Sequence, residues 1–337
     1  MPPQMSRRTF LRLALLLGTG VAALGLDRAT QPAGLARVLP WLARGQVQRL
    51  AGRPARVGLA SCSSYDDARD CIADLWRQSA MPTVAGKRVL VKPNLLDIIE
   101  GHPVTTAPEV IAAVLDVLAE LGAAELVVGD GSAFRRDAWP VVEASGLASV
   151  LKQRKLPFVD LNYDDPQPVP ARGEWFLQTQ QLWLPRHARE ADLIVSLPKL
   201  KTHHWAGVSL SLKNLFGILP GARYGWPKNM LHFNGIAPSI LGIYESLPPV
   251  VAVLDGIVGM EGDGPLFGTS VAHGLLAAGS DPVAVDVTTA RLMGFSPEAI
   301  DHLRLAIWAG VGQGTRIETG GAAPEALRRS YQPAPTL

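Results

Sequence analysis

Short apolar runs that end in polar residues recur along the chain and alternate with segments of helical periodicity. The clearest runs predict buried strands over residues 88–91, 125–128 and 193–195. Between the first two, apolar positions at helical spacing predict a helix over about residues 108–121. Because a strand, a helix and a strand follow one another, the sequence predicts an α/β fold with a mostly parallel sheet and helices on both faces.

Changes in composition divide the chain into four segments. These are an export segment or anchor (1–36), a linker rich in Arg, Gly and Pro (37–55), a single α/β domain (56–315) and a C-terminal tail (316–337). The domain forms either one body or two lobes that meet near residues 160–190. Short apolar stretches near residues 175–177 and 182–184 predict a small hairpin insertion. A long glycine-rich loop over residues 217–235 is expected to be a functional lid or a flexible excursion.

The N-terminus carries a targeting pattern. Paired arginines, Arg7 and Arg8, stand directly before an apolar run over residues 13–26, which resembles a twin-arginine export signal. The run is shorter than the roughly 20 residues of an ordinary spanning helix. We therefore expect the twin-arginine export machinery as a partner and a periplasmic or extracytoplasmic location, with the signal either cleaved or kept as a membrane tether. That export route moves folded proteins and suits proteins loaded with a cofactor in the cytoplasm, so the resemblance favours a bound metal or cofactor without identifying it.

Overall composition excludes some classes of protein. With 47% hydrophobic and 18% charged residues over 337 positions, the chain is long and apolar enough for a large core. A net charge of +2 without a basic, aromatic-rich stripe argues against nucleic acid as a partner. Cys62 and Cys71 are too few for an iron–sulfur cluster or a four-thiolate zinc site. Free thiols are favoured over a disulfide between them.

The richest concentration of reactive side chains follows the strand at residues 193–195. If the backbone stays extended beyond Pro198, Lys199, Lys201 and His203 share one face, and His204 lies on the other. At most one of the two histidines is then expected at a given site. In open parallel sheets ligands bind outside the carboxyl ends of the strands, so polar residues at those ends are expected to form one cleft.

Roles can be assigned to the residues of that cleft. The candidates for catalysis are Lys201, His203 and Lys213, because a crowded lysine can lose its proton near neutral pH and histidine is suited to acid/base work. The candidates for binding an anionic substrate are Lys92, Asn94, Asp130, Ser132, Lys199 and Asn214.

A divalent metal is a second hypothesis for the same region. The imidazole and carboxylate side chains suited to zinc, iron, nickel or manganese are His203, His232, Asp255 and Glu261, with Asp263 nearby in a turn expected over residues 255–265. Two other carboxylates have structural explanations. Asp281 precedes Pro282 and is expected to cap a helix, while Asp286 faces the cleft or satisfies a neighbour.

Several of these motifs together resemble the domain of unknown function 362 family, in matching order over about residues 55–310. They are Lys92-Pro93-Asn94, the segment from Asp192 to His203, the segment from Leu212 to Gly217, Asp255-Gly256, Met260-Glu261-Gly262, Gly264-Pro265 and the segment from Asp281 to Asp286. Some members carry a ferredoxin-like module, for which this chain lacks the cysteines. The resemblance implies the fold but supplies no reaction.

Three functional interpretations follow. The first is a periplasmic enzyme that acts on a small anionic substrate, with or without a metal. The second is a non-catalytic carrier of a metal or ligand that serves a redox system. In the third, the motifs are purely structural. Polar residues clustered at strand ends favour the first two.

Overall fold

The computed structural model describes residues 35–133, 137–173, 175–176 and 179–335. Within these ranges a ten-stranded sheet forms the centre of the protein, beside a separate two-stranded sheet. The strands are β1 (Ala55–Ser61), β2 (Arg88–Pro93), β3 (Glu125–Asp130), β4 (Phe158–Asp160), β5 (Gln167–Pro170), β6 (Gln181–Leu184), β7 (Leu193–Leu197), β8 (Lys199–His203), β9 (Gly207–Ser209), β10 (Val250–Glu261), β11 (Thr269–Gly279) and β12 (Ile317–Gly321).

The strand order is β12-β1-β11-β10-β7-β2-β3-β4, and β8 and β9 branch from β10. Most neighbouring pairs are parallel, including β10 with β7, β7 with β2, β2 with β3 and β3 with β4. The exception in the main order is β11, which runs antiparallel to both β1 and β10. The predicted α/β fold with a mostly parallel sheet is therefore confirmed.

Helices cover both faces of this sheet. They are α1 (Leu35–Ala51), α2 (Ala68–Gln78), α3 (Pro108–Glu120), α4 (Trp139–Ala144), α5 (Leu147–Arg154), α6 (Arg186–Glu190), α7 (Ser211–Asn214), α8 (Gly221–Tyr224), α9 (Asn229–Phe233), α10 (Ile236–Ser246), α11 (Pro282–Leu292), α12 (Asp301–Ala309) and α13 (Pro324–Leu327). Short 3₁₀ turns at Tyr65–Asp67, Leu215–Ile218 and Pro297–Ala299 complete the described elements.

Alternation along the strands explains the two layers. In β2, Leu90 belongs to the core under α10 and α11, whereas Val89 and Val91 belong to the core under α2 and α3. Ile194 of β7 alternates with Leu193 and Val195 in the same way. Because successive side chains point to opposite faces, a continuous apolar run fills both cores, as buried parallel strands require.

The hairpin prediction was right about one strand and wrong about the other. β6 corresponds to the predicted stretch at 182–184, but its antiparallel partner is β5, which precedes the other predicted stretch. Trp175 and Phe176 lie in no strand and pack instead into the core. Two prolines in β5 hid this strand from the sequence pattern, but proline is tolerated at the edge of a sheet.

The predicted linker is wrong, because α1 occupies most of it. Its Trp41 ring stacks on Trp175 with centroids 4.3 Å apart, and Trp41 Nε1 donates to the carbonyl of Gly173 at 3.1 Å. A Cβ on Gly45 would lie 1.9 Å from the carbonyl oxygen of Trp308, so only glycine permits α1 to approach α12 this closely. Tertiary contacts therefore outweigh the unfavourable helix propensity of Pro40 and Gly45.

The predicted C-terminal tail is also part of the domain. β12 pairs in parallel with β1 at the edge of the sheet. Beyond it, the Tyr331 hydroxyl lies 3.0 Å from Nδ1 of His273, and the backbone N–H of Gln332 donates to Glu261 at 2.9 Å.

Two segments expected to be irregular have regular structure. The glycine-rich loop at 217–235 contains α8 and α9. The turn expected over 255–265 is largely strand, because β10 continues to Glu261 through an irregularity between Gly256 and Val258. Asp255 therefore sits inside a strand with side-chain partners on neighbouring elements.

The described residues contain no helix that is long and apolar enough to cross a membrane. The twin-arginine pattern lies outside the described residues.

Candidate functional site

A pocket of about 250 Å³ opens at the carboxyl ends of β2 and β3, where α7 and α9 approach the end of β8. It is lined by Lys92, Asn94, Leu95, Leu96, Asp130, Gly131, Ala133, His203, His204, Trp205, Ser209, Lys213, Asn214, Phe216, Gly217, Pro227, Lys228, His232 and Pro265. Of the predicted site residues it brings together Lys92, Asn94, Asp130, His203, Lys213, Asn214 and His232.

An ion pair between Lys92 and Asp130 forms one wall. Nζ of Lys92 lies 2.8 Å from Oδ1 of Asp130, and both side chains are almost completely buried. The second carboxylate oxygen accepts the backbone N–H of Leu95 at 2.7 Å. Burial lowers the pKa of Lys92, although the neighbouring carboxylate opposes this shift. The pair is internally matched, so it adds no net charge to the pocket while both partners are ionised.

Two asparagines continue this wall. Oδ1 of Asn214 accepts a hydrogen bond from Lys92 Nζ at 2.8 Å, and Nδ2 of Asn214 donates to the carbonyl of Lys92 at 3.1 Å. Oδ1 of Asn94 accepts from Nζ of Lys201 at 2.6 Å. Because Lys201 donates to this oxygen, the NH₂ group of the Asn94 amide points away from Lys201. Its Nδ2 lies 3.4 Å from Oδ1 of Asn214.

Lys213 supplies the cation that the pocket does not neutralise. Its Nζ lies 4.4 Å from the centre of the Phe216 ring, and in the described part of the chain it has no hydrogen-bond or ion-pair partner. Burial and the nearby Lys92 cation lower the pKa of Lys213 to about 8. It is therefore mostly protonated at neutral pH and able to bind an anion.

The helix that carries Lys213 is fixed by Asp286. The carboxylate of Asp286 accepts the backbone N–H groups of Ser211 at 2.8 Å and Leu212 at 2.9 Å. These are the first N–H groups of α7, which have no partner within the helix. Asp286 thus satisfies a neighbour, one of the two predicted roles. Asp281 caps α11 as predicted, by accepting from Val283 and Ala284.

Lys228 is the third lysine that lines the pocket, and its role was missed from the sequence. Its Nζ donates to the carbonyl of Gly131 at 2.9 Å and to Oδ1 of Asn162 at 3.3 Å. Burial lowers the pKa of Lys228 to about 7, so its charge is only partly present at neutral pH. The only local signal is its place in the predicted lid, because its partners are distant in sequence.

The protonation state of His203 follows from its hydrogen bonds. Its Nδ1 accepts from the backbone N–H groups of Trp205 at 3.0 Å and Ala206 at 3.3 Å. Burial and the Lys213 cation lower the pKa of His203 well below its usual value, so the ring is neutral. A neutral ring that accepts at Nδ1 carries its proton on Nε2. His203 is therefore a hydrogen-bond donor rather than a base.

His232 has the opposite tautomer. Its Nδ1 lies 3.1 Å from the carbonyl oxygen of Lys228, which can only accept, so Nδ1 holds the proton. Burial lowers the pKa of His232, which leaves the ring neutral and Nε2 as a proton acceptor. The ring is packed between Trp205 and Phe216, each with its centroid 5.5 Å away.

Both adjacent histidines line the pocket, so the expectation that only one would do so is wrong. The His203 and His204 rings have centroids 4.9 Å apart. β8 ends at His203, and strict alternation of faces ends with it. Nδ1 of His204 lies 2.9 Å from the carbonyl of Gly264, which holds the ring at the edge of the pocket.

Other predicted residues lie outside the pocket lining. Lys199 forms a separate buried cluster in which its Nζ donates to Asp255 at 2.9 Å and to the Tyr65 hydroxyl at 2.8 Å. Lys201 lies behind Asn94 and also donates to the carbonyl of Val104 at 2.8 Å. Ser132 donates to the carbonyl of Leu96 at 2.9 Å.

Lys201 does not line the pocket, and its Nζ orients the amide of Asn94, which does. Burial and three nearby lysine cations lower the pKa of Lys201 well below the usual value.

The four predicted metal ligands do not meet at one point. His203 and His232 line the pocket, whereas Asp255 pairs with Lys199 and Glu261 accepts the backbone N–H of Gln332. Among the residues that the structure describes, no three His, Cys, Asp or Glu side chains are grouped closely enough to hold a metal ion.

Both cysteines are free thiols, with Cys62 buried and Cys71 partly buried. Burial, together with the nearby Cys71, raises the pKa of the Cys62 thiol to about 12. Neither residue lines the pocket.

The fold and the site together define an α/β protein with a cationic pocket at the carboxyl ends of parallel strands. Residues 89–291 match the model of the family "Domain of unknown function (DUF362)", and the chain belongs to this family. A thylakoid-associated protein of Synechocystis sp. is 32% identical over 221 residues, or 64% of this chain. The chain spans 65% of that relative's length.

Two solved structures resemble the chain at low sequence identity. The lactate racemase apoprotein from Thermoanaerobacterium thermosaccharolyticum is 16% identical with a TM-score of 0.46, and the match covers 73% of this chain and 58% of that one. A protein from Thermotoga maritima is 14% identical with a TM-score of 0.36, and the match covers 64% of this chain and 55% of that one.

Proposed function

We propose that the protein is an enzyme that binds a small organic anion in this pocket and transfers a proton to or from it. The observation that carries the proposal is the ammonium group of Lys213, which has no counterion among the described residues, whereas Lys92 is paired with Asp130 and Lys228 is hydrogen-bonded. A cation that is partly removed from water and has no counterion is costly, and an anionic ligand reduces that cost.

The two histidine tautomers support proton transfer. Nε2 of His232 has a lone pair that accepts a proton, while the Nε2–H of His203 can stabilise negative charge that develops on the substrate. Lys213 holds the anionic group, and the amide of Asn94, oriented by Lys201, offers a further donor. His203 and Lys213 of the predicted catalytic set keep a direct role in this proposal, and His232 takes the place of Lys201.

The alternative interpretation of the sequence is a non-catalytic carrier of a metal or ligand that serves a redox system, and the ligand would be the same anion. Both proposals share the binding step, and the paired tautomers favour the enzyme because binding alone does not need a base.

A divalent metal is a further proposal, with Nε2 of His232 as its imidazole ligand. Elemental analysis of protein purified without chelators tests it, since His232→Ala should then remove the bound metal.

The binding proposal is tested with acetate and inorganic phosphate as probes, by isothermal titration calorimetry. Lys213→Met is expected to weaken binding at least about tenfold, because a charge-assisted hydrogen bond is lost. Lys152→Met, which changes an exposed lysine on α5, is the matched control and should bind like the unchanged protein. If neither probe binds, or if Lys213→Met binds both equally well, the proposal is wrong.

Catalysis is tested by proton exchange. A bound carboxylic acid with an exchangeable α-proton should take up deuterium from D₂O faster with the unchanged protein than with His232→Gln, as followed by NMR. Binding without any exchange across a panel of such acids would favour the carrier.

We further propose that the protein is exported by the twin-arginine route and acts outside the cytoplasm. The paired arginines support this, and the thylakoid association of the Synechocystis relative supports a place at a membrane. A reporter fused after residues 1–36 should be exported, and an Arg7→Lys/Arg8→Lys version should not. Equal export of both fusions would contradict the proposal.

A further inference from the structure

The pocket is cationic at one end and apolar over much of the rest. Lys213 lies beside the Phe216 ring. Two other lysines are close to it: the Lys92 cation lowers the pKa of Lys213, and the Lys213 cation lowers the pKa of Lys228. The remaining walls include side chains without any polar group. These are Leu95, Leu96, Ala133, Pro227 and Pro265. A very small hydrophilic anion would leave these walls uncovered.

The size of the pocket points the same way. An apolar cavity of about 150 Å³ is large enough to bind benzene, which has six carbon atoms. A pocket of about 250 Å³ therefore has room for roughly ten non-hydrogen atoms. A carboxylate group accounts for only a few of them, so the ligand that fills the pocket has a substantial second part.

Aromatic rings lead from the pocket to its mouth. Phe216 is 4% exposed and contacts the His232 ring, which in turn contacts the ring of Trp205. Trp205 lines the pocket and is nevertheless 61% exposed. A large aromatic side chain with so much exposed surface at a pocket mouth is suited to cover an apolar group of a ligand.

We infer that the ligand is an amphipathic organic anion, with its anionic group at Lys213 and an apolar, preferably aromatic, group that extends along Phe216 to Trp205. The inference rests on the proposed function, because it assumes that an anion binds at Lys213. It adds the chemical class of the rest of the molecule. The short anions acetate and phosphate then fill only the cationic end.

Calorimetric titrations with acetate, benzoate and 3-phenylpropionate test the inference. Each buried methylene-sized group is worth about a fourfold gain in affinity, so even partial burial of the phenyl group should make 3-phenylpropionate bind at least about thirtyfold more tightly than acetate. Lys213→Met should weaken binding of all three anions.

Variants at the pocket mouth separate a specific contact from general hydrophobic attraction. Trp205→Ala should reduce the ratio between the 3-phenylpropionate and acetate affinities about tenfold. The change is expected to preserve the fold, because the Trp205 side chain is largely exposed and the hydrogen bond to His203 comes from the backbone N–H, which alanine retains. Phe233→Ala is the matched control: Phe233 is 90% exposed on α9, the helix that carries His232, but it does not line the pocket. It should leave the ratio unchanged.

The outcomes distinguish this inference from the proposed function. Equal affinities for acetate and 3-phenylpropionate, both still dependent on Lys213, would overturn the inference and leave the anion site intact. A ratio that Trp205→Ala leaves unchanged would also overturn it. Failure of all three anions to bind would overturn both.

Discussion

Replacement of Asp130 by alanine should destabilise the protein in a pH-dependent manner. The carboxylate accepts hydrogen bonds from Lys92 at 2.8 Å and from the backbone N–H of Leu95 at 2.7 Å, in a site that water barely reaches. Asp130→Ala leaves the Lys92 cation buried without a counterion. Removal of one partner of a buried ion pair typically costs about 3–5 kcal/mol, and we expect a loss of this size near pH 6.

The loss is limited because Lys92 can release its proton. Neutralising a lysine with an ordinary pKa near 10.4 costs about 4.6 kcal/mol at pH 7, and this cost falls by about 1.4 kcal/mol for each pH unit. In the variant the folded-state pKa of Lys92 is lowered further, so the unfolded chain binds more protons than the folded protein. Stability then rises with pH between the folded-state pKa and about 10.4.

Urea unfolding followed by tryptophan fluorescence between about pH 6 and pH 9 measures both effects. The double variant Lys92→Met/Asp130→Ala is the control, because without the lysine the additional pH dependence should disappear and part of the stability should return. A loss below about 1 kcal/mol in Asp130→Ala, or a loss independent of pH, would refute the reasoning.

Three further changes test other parts of the structure. Acetate binding should weaken as the pH rises through about 8, where Lys213 loses its proton, and calorimetric titrations with a flat pH profile would contradict this assignment. Asp286→Ala should cost about 2–4 kcal/mol in urea unfolding, because the N–H groups of Ser211 and Leu212 lose their acceptor; an unchanged midpoint would show that α7 is held in another way. Trp41→Ala should loosen α1 and speed trypsin cleavage at Arg49, and equal cleavage rates would argue against the stacking on Trp175.

The central part of the fold and site could be predicted because it depends on local patterns. Continuous apolar runs such as the one in β2 identify strands buried on both faces, and their order along the chain indicates parallel pairing. Parallel strands bring their carboxyl ends to one edge of the sheet. Lys92, Asp130 and His203 therefore meet in one pocket although they are distant in sequence.

The rest could not be predicted because it depends on which strands are neighbours and in what register. Lys199 and His203 lie on the same strand, yet Lys199 is held outside the pocket by Asp255 of β10, directly opposite it in the register. Lys228 reaches Gly131 and Asn162 from a segment without a strand or helix pattern strong enough to place it. The prolines of β5 and Pro40 of α1 gave misleading local signals that tertiary contacts overrode.

The anchoring of α1 has a consequence for the geometry of the whole protein. Besides the contacts of Trp41, Arg44 pairs with Glu245 at 2.6 Å and Gln48 donates to the carbonyl of Gly312 at 3.3 Å, so the helix is fastened to three separate parts of the domain. If the residues before α1 form a membrane tether, they join the domain at a helix that is packed against it, and not at a flexible linker. The direction in which the pocket faces relative to a membrane would then be set largely by where α1 begins.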